Sequence, residues 1–143
     1  MRALLDTCAL SELRAPKPHM GVERAVRALG SQNLFVSVIS IGEIAKGVAL
    51  LDDGRKKHSL QDWLLALEDH YSDRILPIDL EISRMWGELT AAAQQAGRTI
   101  PPGDGLIAAT ARRHGLYVMT RNTADFEGSG APLLNPWKDD SHT

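Results

Sequence analysis

Short apolar runs separated by longer segments of helical period constrain this chain more than any other feature. Ala3 to Leu5, Leu34 to Ile39, Ile75 to Ile78, Leu116 to Met119 and Pro132 to Leu134 are brief, apolar and rich in branched side chains, as strands buried on both faces are. Between them apolar residues recur at helical spacing. Val22, Ala25, Val26 and Leu29 form one stripe, ended by Gly30; Leu60, Trp63, Leu64 and Leu67 form another; Ile82, Met85, Trp86 and Leu89 form a third, ended by Gly97. Ile107 to His114 make a further helix, stopped by Gly115, with Arg112, Arg113 and His114 at the negative end of its dipole. Strands alternating with helices of this length call for a parallel sheet covered on both faces. The expected fold class is therefore α/β, a three-layer α/β/α sandwich around a twisted parallel sheet of about five strands, in a single domain over residues 1–143.

The alternation is interrupted once. Two helical segments, Ile44 to Leu51 and Leu60 to Leu67, fall between the second and third strands with DDGRKKH as a charged turn between them. A helical hairpin is expected there, its Trp63 and leucines facing either the core or a symmetry partner.

Composition excludes several function classes. A chain of 143 residues can bury about two-thirds of the surface it exposes when unfolded. Its 43% hydrophobic content and formal charge of −2 carry no basic excess of the kind that marks a nucleic-acid binder. Cys8 is the sole cysteine, which rules out an internal disulfide framework or a multi-cysteine metal site and suits a reducing cytoplasm. No apolar run approaches the roughly 18 to 20 residues that span a bilayer, and the N-terminus lacks the features of a signal peptide. A cytoplasmic protein with no membrane association is expected.

In an open α/β sheet ligands sit outside the carboxyl ends of the strands, so the side chains just after each apolar run matter most. Asp6 follows the first run, in RALLDTCALSEL, where the chain turns helical. Glu43 follows the second, in SVISIGEIAKG; Asp104 opens the helix in IPPGDGLIAATARR; Asn122 and Asp125 follow the fourth, in YVMTRNTADF. Taken singly, each has an ordinary structural role. Asp6 suits an N-cap, Ser40-x-x-Glu43 has the capping-box pattern, Asp104 follows Pro-Pro-Gly where a cap is useful, and Asn122-x-x-Asp125 suits a short helical turn. Caps need not converge, however, whereas these strand ends should lie side by side. Two carboxylates about 4 Å apart at an effective dielectric near 20 repel by roughly 4 kcal/mol, so a cluster must take up protons or hold a cation. All-oxygen donors suit Mg²⁺ or Mn²⁺ better than zinc. None of the histidines stands three or four residues from another, and neither a nucleophile-elbow G-x-S-x-G nor a phosphate-binding P-loop is present.

LLDTCALSEL, SVISIGEIAKG and PPGDGLIAATARRHGLYVMTRNTADFEGSGAPLLNPW together closely resemble the motifs of PIN-domain proteins, in particular the VapC and FitB-like toxins of bacterial toxin–antitoxin pairs. The resemblance covers nearly the whole chain in order. Its most specific part is D-x-x-I-A-A-T-A, a strand, then T-R-N-x-x-D-F and a closing N-P-W. It implies a metal-dependent ribonuclease whose acidic cluster holds one or two Mg²⁺ or Mn²⁺ ions. The family's acids fall on Asp6, Glu43 and Asp104. Some members place a fourth acid where this chain has Asn122, and many where it has Asp125, so the charge is expected from Asp125, with Asn122 as a polar or water-mediated contact. Thr7 and Thr120 match hydroxyl positions beside the cluster, with local backbone bonding at a turn as the alternative.

The same resemblance implies hydrolysis of RNA to products with a 5′-phosphate and a 3′-hydroxyl. Lys46, Arg121 and Arg98 are the candidates for backbone phosphates, against an ion pair of Lys46 with Glu43 and plain surface charge for the others. It further implies a homodimer silenced by a small antitoxin protein, with DNA met only through that partner. Two alternatives stand beside it: a phosphatase or receiver-like α/β domain, in which Asp6 would be the acceptor, and a PIN-like module that only binds partners. The first lacks the D-x-D or adjacent acidic pair that such domains show early; retention of all four acids argues against the second.

Overall fold

The computed structural model describes residues 1–138. Its sheet comprises β1 (Ala3–Leu5), β2 (Leu34–Ser37), β3 (Ile75–Leu76), β4 (Tyr117–Met119) and β5 (Leu133–Leu134). All neighbouring strands are parallel, in the order β3-β2-β1-β4-β5. The expected α/β class and five-stranded parallel sheet are thus present. β1 matches its apolar run, β3, β4 and β5 are each one or two residues shorter than theirs, and the run Leu34 to Ile39 alone continues into the following helix.

Six helices cover the sheet: α1 (Thr7–Arg14), α2 (Met20–Leu29), α3 (Val38–Ala49), α4 (Arg55–His70), α5 (Leu80–Gln95) and α6 (Pro102–His114). Alternation along β1 divides the core. Leu4 packs with Ile82, Leu89, Ile107, Leu116 and Phe126 on the face covered by α5 and α6. Ala3 and Leu5 point to the other face, with Leu10, Ile44, Val48 and Leu67 from α1, α3 and α4. Leu4, Leu5 and Ile82 have no exposed surface, and each such burial contributes roughly 1.5–3 kcal/mol.

Several boundaries differ from the sequence reading, among them the start of α6, at Pro102 rather than Ile107. α3 starts at Val38, not Ile44, because the Ser37 hydroxyl accepts from the Ile39 amide at 3.0 Å and caps it. The run Leu34 to Ile39 is therefore half strand and half helix. The capping box is corrected with it, since Ser40 lies buried inside α3 and its hydroxyl has no partner. In the helical hairpin, RKKH is the first turn of α4 rather than part of the turn before it. Trp63 packs, half-buried, against the core cluster on its own face, with the Arg14 guanidinium 5.8 Å from its ring centre.

The strand order reverses direction between β1 and β4: the chain moves outward through β2 and β3, then crosses back to β4. The carboxyl ends of these two central strands frame the crevice where such sheets bind ligands. Among the described residues no helix is long and apolar enough to cross a membrane.

Candidate active site

Asp6 leaves the end of β1 and begins α1. Its amide donates to the Met119 carbonyl at 3.2 Å, which joins the ends of β1 and β4. The carboxylate also caps α1, with Oδ1 accepting from the Ala9 amide at 2.9 Å. The Cys8 thiol donates to both carboxylate oxygens, at 2.9 and 3.2 Å, and the Thr120 hydroxyl bonds the same carboxylate. Burial nevertheless outweighs these donors, and the Asp6 pKa lies above its ordinary 3.8. Burial, then the charge of Asp6, pushes the Cys8 thiol up to about 11, so at neutral pH it remains a donor. Cys8 accepts in turn from the Arg121 amide at 3.5 Å. The Asn122 amide donates to the Thr120 hydroxyl at 3.0 Å, tying the loop after β4 to the same corner.

Glu43 comes from the second turn of α3. Its Oε1 accepts from the Thr7 hydroxyl at 2.6 Å, and its Oε2 faces Gly103 in the first turn of α6. Asp104 stands one residue further along that turn, with no side-chain cap bond recorded at the helix start. Its pKa is raised to about 6, first by burial and then by the charges of Asp125, Glu43 and Asp6. The charges of three acids from separate segments thus reach Asp104.

That cleft encloses about 590 Å³. Asp6, Glu43, Asp104 and Asn122 line it, but Asp125 does not. Asp125 lies in a short 3-10 turn (Thr123–Phe126), close enough to be the strongest charge on Asp104 while Asn122 presents the lining surface. Thr7 touches the cleft, whereas Thr120 works from behind through Asp6. The Asn122 side chain makes no cap bond.

Cys8, Ser11, Glu12, Ala15 and Ile107 line the cleft without having been singled out as site residues from the sequence. Cys8 and Glu12 share with Ser11 and Ala15 the face of α1 that forms one wall. Glu12 is held by the Trp137 indole N–H at 3.2 Å and the His19 amide at 3.2 Å, so it anchors the closing N-P-W segment. Their spacing of three to four residues was the available signal. None of Lys46, Arg98 and Arg121 lines the cleft. Lys46 and Arg121 are exposed, and Arg98 pairs with Glu127 at 3.0 Å. Among the described residues no three histidine, cysteine, aspartate or glutamate side chains are already gathered closely enough to hold a metal ion.

A parallel α/β sheet with carboxylates at the switch between its central strands defines an α/β domain with an acidic cleft. The chain matches the PIN domain over residues 3–127, and it belongs to that family. It is 36% identical over 136 residues to the VapC ribonuclease Y4jK of Sinorhizobium fredii, covering 94% of this chain and 97% of that protein. It is also 36% identical over 137 residues to the toxin FitB of Neisseria gonorrhoeae, covering 95% and 99%. Among solved structures, that of FitAB bound to an IR36 DNA fragment superposes with a TM-score of 0.88 at 33% identity, covering 99% of each chain.

Proposed function

We propose that this protein is a Mg²⁺- or Mn²⁺-dependent endoribonuclease and the toxin of a toxin–antitoxin pair. The observation that carries the reading is Asp104, whose pKa is raised first by burial and then by the charges of Asp125, Glu43 and Asp6. Such a cluster is stabilised by a cation, and its donors are all hard oxygens. Asp6, Glu43, Asp104 and Asp125 are the proposed ligand set. When bound, the ion lowers the pKa of a water and neutralises charge growing on the phosphorus oxygens.

The chain's own groups orient that site. Cys8, Thr120 and the Ala9 amide hold the Asp6 carboxylate, and Thr7 holds Glu43. Asn122 supplies a neutral polar group on the cleft wall for water or a phosphate oxygen. No lysine or arginine is among the lining residues, so affinity for RNA rests on the cation and on flanking charges. Lys46 and Arg121 serve as those flanking contacts; Arg98 is the weaker candidate because Glu127 holds it.

The FitAB relative's complex with DNA supports a partner of the same kind here: a small antitoxin that silences the toxin and carries any contact with DNA. The toxin itself forms a homodimer in the cytoplasm. The deciding experiment is incubation of antitoxin-free protein with RNA. Cleavage is expected with Mg²⁺ or Mn²⁺, leaving 5′-phosphate ends, and it stops with EDTA. Cleavage that persists without divalent metal overturns the mechanism.

A further inference from the structure

Glycines flank Asp104 on both sides, and a side chain on either would meet a neighbour at close range. A Cβ at Gly105 would stand 3.0 Å from the Trp86 ring, so that glycine serves the packing of α5 on α6. Gly103 differs. A Cβ there would stand 2.9 Å from Glu43 Oε2 and 3.6 Å from Glu43 Cδ. Gly103 does not have positive φ and lies within a helix, so its backbone suits alanine and conformation does not demand glycine. What it leaves room for is the carboxylate. Glu43 is held from the opposite side by the Thr7 hydroxyl at 2.6 Å, which places it between the starts of α1 and α6, where the positive ends of both helices favour a negative charge.

We propose that Gly103 is a positioning residue for Glu43: its missing side chain creates the space that keeps the carboxylate on Thr7 and beside Asp104. The proposal rests on the reading of Glu43 as a metal-site residue. The one close contact of a methyl group at residue 103 is the end of the flexible Glu43 side chain, with Ile39 Cγ2 at an ordinary 3.7 Å, so Glu43 yields and the backbone stays.

The test is Gly103→Ala, alone and combined with Glu43→Asp, whose shorter side chain retreats from the methyl. Gly103→Ala is expected to keep or raise Tm, since alanine favours helix over glycine. Its Mn²⁺ affinity by calorimetry is expected to fall roughly tenfold to hundredfold, as when the support of a metal ligand is lost. RNA cleavage should fall in kcat with little change in KM. Adding Glu43→Asp should recover part of both losses. Wild-type Mn²⁺ affinity and kcat in Gly103→Ala overturn the proposal. So does a large drop in Tm that Glu43→Asp fails to relieve, because the glycine is then needed by the fold. Crystal structures of wild type and Gly103→Ala decide the geometry without metal or substrate: Glu43 should leave Thr7 in the variant, and an unmoved Glu43 refutes the proposal. A wild-type protein that neither binds Mn²⁺ nor cuts RNA would instead sink the ribonuclease reading.

Discussion

At Asp104 two fields oppose each other. The first turn of a helix favours a carboxylate, whereas burial and three neighbouring acids raise its pKa to about 6, so the ionised form costs stability on balance. Because the folded pKa exceeds the unfolded one, stability from this group is complete below pH ~3.8 and is lost as pH rises through about 6. In EDTA, Asp104→Asn should therefore gain Tm over wild type as pH is raised from 4 to 7, while RNA cleavage disappears. A marked loss of Tm at pH 7 would make Asp104 a structural cap. Asp125 and Asn122 divide the remaining role between charge and surface. Asp125→Ala should lower cleavage at least tenfold, and Asn122→Ala less; full activity in the Asp125 variant would transfer the role to Asn122. Asp6 and Asp104 were legible because a carboxylate following a buried strand, or opening a helix, emerges at the edge of the sheet, whereas Glu43 stands one turn into α3 and was legible through the motif around it. Cys8 and Glu12 were not. Which face of α1 meets the cleft is settled by how that helix packs, and local sequence cannot choose between faces.

Among the elements, α3 matters most because it carries Glu43. Two serines compete for its start, and only Ser37 bonds a helix amide. Ser37→Ala should cost about 1 kcal/mol, read as a lower Tm. Ser40→Ala should be neutral or stabilising, because it removes a buried hydroxyl with no partner. A capping box at Ser40 would demand the reverse order. The sequence reading placed strand through Ile39 because Val36, Val38 and Ile39 are β-branched and apolar, and such a run suits a buried strand or a buried helix equally. A single hydroxyl, aimed by the turn after β2, makes the choice. The charged RKKH segment misled for a related reason: a solvated first turn of helix and a polar loop have the same composition.

For the whole molecule, the central prediction concerns linkage between metal and folding. A ligand that binds only the folded state stabilises it by mass action, about 2.7 kcal/mol at a hundred times its Kd. Mn²⁺ should accordingly raise the Tm of wild type at pH 7, EDTA should reverse the gain, and Asp104→Asn should show little of it. An equal rise in both proteins would place the binding elsewhere. The alternation of apolar runs with helical stripes was enough to determine an α/β sandwich, since strands buried on both faces have few other solutions. The ordered acids, with their surrounding motifs, were enough to determine the family. Tertiary structure alone decided that β1 and β4 lie side by side, that Asp125 presses on Asp104 while Asn122 lines the cleft, and that Arg98 is committed to Glu127. Burial pattern is a property of each segment and survives in the linear order. Contacts between distant segments, such as the Asp6 amide on the Met119 carbonyl and the Thr7 hydroxyl on Glu43, depend on how layers pack.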